Sequence, residues 1–316
     1  MFADLRSVPS LVNVSTLLSI ALLSHSTIGA AETLQWKFAV GDSYRLELEQ
    51  TVQQTTSVLL KPVDTTTTTE LVVLWKVKSI KPDGNAVIEQ VFDHLKLSVK
   101  TQNADDLTFD SKSEEQDSLA ARELAKAIAP MLGAPIQVTM APHGEIIDVQ
   151  VSEESLEKIR LAAGSMRLRS TLSVEGLQEM LTLVTLPLPK GEVEVDESWS
   201  QERASTFPGL QVVAKHELTY RGPQDLEGEM FDRVDIVTSL EQRPLENEGD
   251  DKARKAPNIE DHLATGELWF DRENGFAKRC LQTQTLTTTT ELREYTIEVN
   301  STSSLECRMT KTSTAE

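Results

Sequence analysis

The chain is poor in cysteine, with two in 316 residues, and that excludes a disulfide-laced miniature fold and a cysteine zinc site. Aromatics make up 5% of it, too few for a wide platform that stacks sugars or bases. Positive charge is scarce: 31 basic residues face 50 acidic ones, a formal net charge of −19. Nucleic acid is thereby excluded as a partner, because phosphate binding needs a positive face. No apolar run reaches the ~20 residues that span a bilayer as a helix. No G-x-G-x-x-G and no phosphate loop occurs, so no nucleotide cofactor is implied. Gly164-Ser165-Met166 lacks the closing glycine of a nucleophile elbow.

What is present begins with an export signal. Residues 1–31 carry a short positive region at Arg6, an apolar stretch Leu11–Leu23, and small residues Gly29, Ala30 and Ala31. Cleavage after Ala30 or Ala31 predicts a mature protein in the periplasm or outside the cell, acidic and soluble by self-repulsion.

Period-2 alternation dominates the mature chain. Tyr44, Leu46 and Leu48 share a face opposite Arg45, Glu47 and Glu49. Leu71, Val73, Trp75 and Val77 follow, then Lys81–Asn85 with a hairpin Asp-Gly, then a long strand from Ala86 to Lys100. Its apolar phase changes near Phe92, which predicts a β-bulge. Alternation returns at Leu210–Tyr220, Val234–Leu240, Leu268–Phe270 and Tyr295–Met309, with an Asn274-Gly275 turn. Helices are expected only in the middle: at 118–132, from Asp117 or Ser118 as cap; at 152–164; and at 173–184, ended by Pro187 and Pro189. Residues 244–263 are polar and read as a solvated acidic loop. The fold class expected is β-rich α+β: two curved antiparallel sheet units, half-barrel-like, with a central helical insert on one side. The boundaries expected are 1–31 for the signal, 32–151 for a first β-rich repeat with one helix, 152–189 for a helical linker, and 190–316 for a second β-rich repeat.

The repeat is read from Val40-Gly41-Asp42-Ser43-Tyr44 against Val195-Asp196-Glu197-Ser198-Trp199, each opening a strand with an aromatic. Glycine turns follow at Pro82-Asp83-Gly84 and at Gln224–Gly228, and again at Ala141–Gly144 and Asp271–Gly275. The export signal, the VGDSYR strand start, the Ala141-Pro142-His143-Gly144 turn and the DESW start resemble an uncharacterised family of secreted bacterial proteins of planctomycete type. The resemblance implies export and a β-rich fold and assigns no catalytic residue. More distantly, a curved sheet with helices on one side is similar to the half-barrel of periplasmic lipoprotein carriers, a likeness of fold alone.

Chemistry is harder to find. His94, His143, His216 and His262 show no i+2 or i+4 pairing, so no local metal clamp is expected. His216 falls on an apolar face between Ala214 and Leu218, as a hydrogen-bonded core histidine or as a ligand contact in a cavity. Trp36, Trp75, Trp199 and Trp269 sit on strands near turns, as core or as the lining of a cavity mouth. Cys280 and Cys307 lie on the last two strands; direct pairing centres the turn on Arg293-Glu294, a poor turn former, and a longer loop in another register is the alternative. A bond there would contribute ~3 kcal/mol. Lys158, Arg160, Arg167 and Arg169 form an acid-free stretch, either a solvated face or a docking site for an anionic lipid surface or acidic partner. Three functions follow in order. The first is a non-catalytic binding protein holding an apolar or lipid-like ligand between sheet and helices. The second is a cell-envelope structural or protein-interaction module with a filled core. The third is a hydrolase. The first predicts surplus apolar residues facing a cavity.

Overall fold

A computed structural model describes residues 31–59, 61–153, 157, 185–207, 210–244, 257–292 and 295–312. A small ladder pairs β1 (Glu32–Thr33) with β8 (Glu192–Val193). The remaining strands form one 12-stranded sheet. Its first half is β2 (Ser43–Val58), β3 (Lys61–Ile80), β4 (Ala86–Thr101), β5 (Leu107–Asp110), β6 (Pro135–Met140) and β7 (Ile146–Val151). Its second half is β9 (Ser198–Phe207), β10 (Leu210–Leu226), β11 (Glu229–Pro244), β12 (Asn258–Asp271), β13 (Phe276–Leu292) and β14 (Tyr295–Thr312). The order is β7-β6-β4-β3-β2-β14-β13-β12-β11-β10-β9, with β5 on β4, and every described pairing between named strands is antiparallel. Two curved antiparallel units thus run into each other through β2 and β14; among the described residues no further strand pairs with β7 or β9, and these two do not pair with each other, so the sheet does not close into a barrel.

Both units begin in the same way. Gly41 N–H donates to Val77 C=O (2.9 Å), Val77 N–H to Asp42 C=O (2.9 Å), and Asp42 N–H to Ala39 C=O (3.0 Å). Asp196 N–H donates to Tyr220 C=O (2.7 Å), Tyr220 N–H to Glu197 C=O (3.0 Å), and Glu197 N–H to Glu194 C=O (3.0 Å). The acidic side chain closes each loop: Asp42 Oδ2 accepts from Ala39 N–H and Glu197 Oε2 from Glu194 N–H, both at 2.9 Å. Gly41 at φ +95° and Asp196 at φ +68° occupy the same left-handed corner, so the Gly-to-Asp difference between the two motifs is accommodated there. Just past each closure a residue bulges, Lys78 in β3 and Arg221 in β10. The phase change expected near Phe92 is also a bulge, at Asp93.

The core lies at one end of the sheet, on one face. Tyr44, Leu46, Trp75, Val77, Ile88, Val138, Leu218, Tyr220, Val234, Ile236, Leu268, Phe270, Cys280 and Met309 are buried there together. The glycine turns gather at that base: Lys81–Asn85, Ala141–Gly144, Glu227-Gly228 and Arg272–Gly275. The segment Leu34–Phe38 crosses it. Trp36 N–H donates to Pro142 C=O (2.7 Å) in the first unit and Lys37 N–H to Gly275 C=O (2.9 Å) in the second. Gly275 admits this approach because it has no Cβ: one would stand 2.4 Å from the Lys37 side chain. The helix α1 (Leu119–Ile128) starts at Ser118, whose hydroxyl accepts from Ala121 N–H at 3.0 Å, and sets Leu124 and Ile128 into the core.

The polar stretch 244–263 is not loop at its far end, and residues 245–256 lie outside the described residues. Pro244 ends β11, and Asn258–Leu263 already belong to β12, paired with Thr285–Thr289 of β13. Both faces are polar, so periodicity has little hydrophobic contrast from which to declare the strand. The helices expected at 152–164 and 173–184 fall almost wholly outside the described residues, as do Lys158, Arg160, Arg167, Arg169 and residues 1–30.

Candidate functional site

Beyond the core the strands continue, and their inner face stays uncovered to a degree. Alternation and register assign it. The row through His216 runs Thr238, Ala264, Gln284, Ser303, Val52, Thr67 and Val99. The next row out holds His262, Leu286, Ser301, Gln54, Thr65 and Thr101. All of these side chains are half-buried. In this outer half, the inner positions of β10 to β14, β2, β3 and β4 hold no Asp or Glu. The charges on this part of the face, among the described residues, are Arg203 and Lys61. Arg203 pairs in register with Ala214 at the β9 edge, and Lys61 pairs with Val58 at the exposed tip of β3.

In this outer half the acids of these strands stand on the other face, where acids and cations form ladders that continue toward the base. Arg279 and Arg308 meet Glu306 at 2.8 and 2.6 Å, Arg221 and Arg233 meet Asp235 at 2.8 and 2.9 Å, and Lys96 meets Glu70 at 3.3 Å. The inner face is instead an interleaving of Val and Leu with Thr, Ser and Gln. The described part of this face is thus nearly neutral and half-polar, and the helix expected at 173–184 as a wall of the cavity lies outside the described residues.

Burial disfavours the charged form of both inner histidines. Burial, then Arg203, lowers the pKa of His216, and burial lowers that of His262. His216 Nδ1 is 2.8 Å from Thr238 Oγ1, so it is a hydrogen-bonded histidine on the expected face. The two ring nitrogens of His262 are shielded from solvent, with no hydrogen-bond partner among the described residues. Its Asp-His-Leu context gave no sign of this. The signal that was available is its phase with Ala264 and Leu268.

The tryptophans do not form one lining. Trp36 and Trp75 are buried at the base with ring centroids 6.2 Å apart, and Trp36 also meets Phe38 and Phe270 at 5.6 and 5.9 Å. Trp75 Nε1–H donates to the buried Gln90 Oε1 at 2.9 Å. Trp199, opposite Leu218, donates from Nε1 to Pro187 C=O at 3.1 Å. Trp269 lies on the opposite face, under the Arg233 guanidinium 5.6 Å from its ring. Leu268 and Phe270, both in the core, flank it, and strict alternation turns it outward. Trp36 and Trp75 thus pack into the base, and Trp269 faces away from them.

Cys280 and Cys307 are register partners on β13 and β14, both buried, and no bond joins their sulfurs in this structure. The direct register is the one adopted. Sequence reading missed a buried knot at the base. Tyr220 Oη–H donates to Asp232 Oδ1 at 2.5 Å, and Arg272 Nε stands 3.3 Å from Asp232 Oδ2 while also pairing with Glu32. Burial raises the Asp232 carboxyl above its usual range against the pull of Tyr220 and Arg272. Elsewhere His94 Nε2 lies 2.7 Å from Asp110 Oδ1 on the outer face. Among the described residues no group of three or more His, Cys, Asp or Glu is placed to hold a metal, and no helix is long and apolar enough to cross a membrane.

Residues 83–221 match a family of unknown function (DUF6263). The match agrees with the resemblance to an uncharacterised family; it carries nothing on planctomycete origin. No curated protein matches the chain. Among solved structures, lipovitellin, described for its lipid–protein interactions, aligns at 11% identity and TM-score 0.47 over 89% of this chain. This chain spans only 26% of the lipovitellin chain. A protein described as exported, with a YmcC-like fold, from Bacteroides fragilis aligns at 9% identity and TM-score 0.24, over 89% of this chain and 100% of its own. An outer membrane channel from Pseudomonas putida F1 aligns at 10% identity and TM-score 0.24, over 89% of this chain and 98% of its own.

Proposed function

We propose that this is an exported, non-catalytic binding protein whose inner sheet face holds a neutral or weakly polar lipid-like ligand. Residues 1–31 are removed on export, and the units 32–151 and 190–316 together supply the face, with 152–189 linking them. The observation that carries the reading is the absence of Asp and Glu from the inner positions of the outer half of the sheet, in a chain of net charge −19. A face meant for water has no reason to exclude charge, whereas a face that desolvates against an apolar chain does, because burying an unpaired charge is costly. The Val and Leu columns would contact hydrocarbon, and the Thr, Ser and Gln between them would bond ester, amide or hydroxyl groups.

The test is native mass spectrometry of the full chain recovered from the periplasm of its own host, followed by organic extraction. The reading expects a co-purifying apolar compound at about one per chain. A clean apo mass with no uptake of hydrophobic dye would sink it. The second reading, an envelope interaction module, would then be favoured. It has its own observation: among the described residues, the outer edges of β7 and β9 have no strand partner, as strand addition would require.

A further inference from the structure

We propose that Cys280 and Cys307 are joined as a cross-strand disulfide in the exported protein, and that the bond locks the register of β13 on β14. The two residues stand directly opposite each other, at a position where antiparallel backbones come within disulfide reach. Both are 3–4% exposed and face the same core, with Leu268 beside Cys280 and Leu48 beside Cys307.

A lock is needed here. β13 carries Thr-Gln-Thr-Leu-Thr-Thr-Thr-Thr at Thr283–Thr290, and β14 faces it with Asn300-Ser-Thr-Ser-Ser304. A slip of two residues would keep each side chain on its face and exchange hydroxyl residues for one another. Composition alone therefore specifies this ladder weakly. The connection left by the Leu292–Tyr295 pair is Arg293-Glu294, with neither the Gly nor the Asn that a two-residue hairpin favours. β14 is also the strand through which the second unit joins β2 of the first, so its register sets the registration of the two units.

In the bond-forming step each thiol gives up its proton. The two electrons pass to the disulfide of an external thiol–disulfide oxidant, which is cleaved to two thiols. The pair must be oxidised while the hairpin is forming. Once folded, both sulfurs are sealed, and burial pushes the Cys280 thiol up to about 12 and raises Cys307 as well, leaving no thiolate to attack.

The experiment is to export the full chain to a Gram-negative periplasm, denature it without reductant in excess iodoacetamide, and weigh it. The expected result is a monomer with no added alkyl group, about 2 Da lighter than the dithiol, the two hydrogens lost in oxidation. After reduction two groups should add, and the Tm of the reduced protein should fall by about 6–9 °C. Two alkylated cysteines in the unreduced monomer, or a chain-to-chain disulfide, would overturn the proposal. An intact bond whose reduction leaves Tm unchanged would overturn its role as a lock. The mass readout needs no variant, so a folding failure cannot obscure it, and it is independent of any bound ligand.

Discussion

Replacing Tyr220 by Phe removes one oxygen from the buried knot at the base and leaves the ring in place. Tyr220 is fully buried and Asp232 is 3% exposed, so no water replaces the lost donor. The bond is short, 2.5 Å, and its acceptor is a carboxylate, which places its worth at about 1.5–3 kcal/mol. Arg272 still faces the other carboxylate oxygen at 3.3 Å and limits the damage. An expected loss of about 2 kcal/mol corresponds to roughly 4–6 °C in Tm for a chain of this size. The pH dependence has a definite sign. The folded Asp232 carboxyl already sits above its ordinary 3.8, so the folded state binds this proton more tightly than the unfolded chain. Its contribution to stability therefore declines as pH rises from about 3.8 through the raised folded value. The Tyr220→Phe substitution withdraws a group that pulls that value down, widening the window. The deficit should thus be larger at pH 7.5 than near pH 4, read by thermal unfolding at both. Asp232→Asn, which removes the buried charge and keeps an acceptor, should cost less than Tyr220→Phe at pH 7.5. An equal deficit at both pH values, or no deficit, would refute the account of Tyr220 as the partner of a buried carboxylate.

Gly266→Ala should destabilise by about 1–3 kcal/mol, seen in urea unfolding, because its Cβ would lie 2.4 Å from the Leu281 carbonyl oxygen, which the strand pairing holds. His216 and His262 have folded pKa values below the ordinary 6.5, so their stability contribution is complete above 6.5 and is lost as pH falls toward the depressed values. His216→Gln should flatten the fall in Tm between pH 7 and 5, and an unchanged slope would remove His216 from that account. Val52→Lys on the inner face should abolish uptake of a hydrophobic dye with little change in Tm, since the site is half-buried, whereas Gln53→Lys on the outer face should leave uptake intact. Equal uptake by the two variants would contradict binding at the inner face. Gln90→Leu should cost about 1–3 kcal/mol in thermal unfolding by orphaning the buried Trp75 N–H.

Much of this molecule is written in local chemistry. Alternation at Tyr44–Leu48, Leu71–Val77 and Tyr295–Met309 fixes strands and the face each buries, because successive side chains can point only to opposite sides. Asp83-Gly84 and Asn274-Gly275 fix turns, Ser118 fixes the start of α1, and the apolar phase change after Phe92 fixes a bulge, since each needs a backbone shape that few residues adopt. The paired strand starts at Val40 and Val195 were legible for the same reason. Tertiary structure decided the rest, where the sequence offered a choice of equal local energy. It paired β2 with β14 and so made one sheet of two units. It drew the polar residues Asn258–Leu263 into a strand by pairing them with the threonines of β13. It chose the register that sets Cys280 against Cys307, and it gathered Tyr220, Asp232, Arg272 and Glu32 into one knot. It also assembled inner positions from many strands into a face whose outer half is free of acids. No single strand carries that property, because period 2 says which side chains share a face and never which strands will stand beside them.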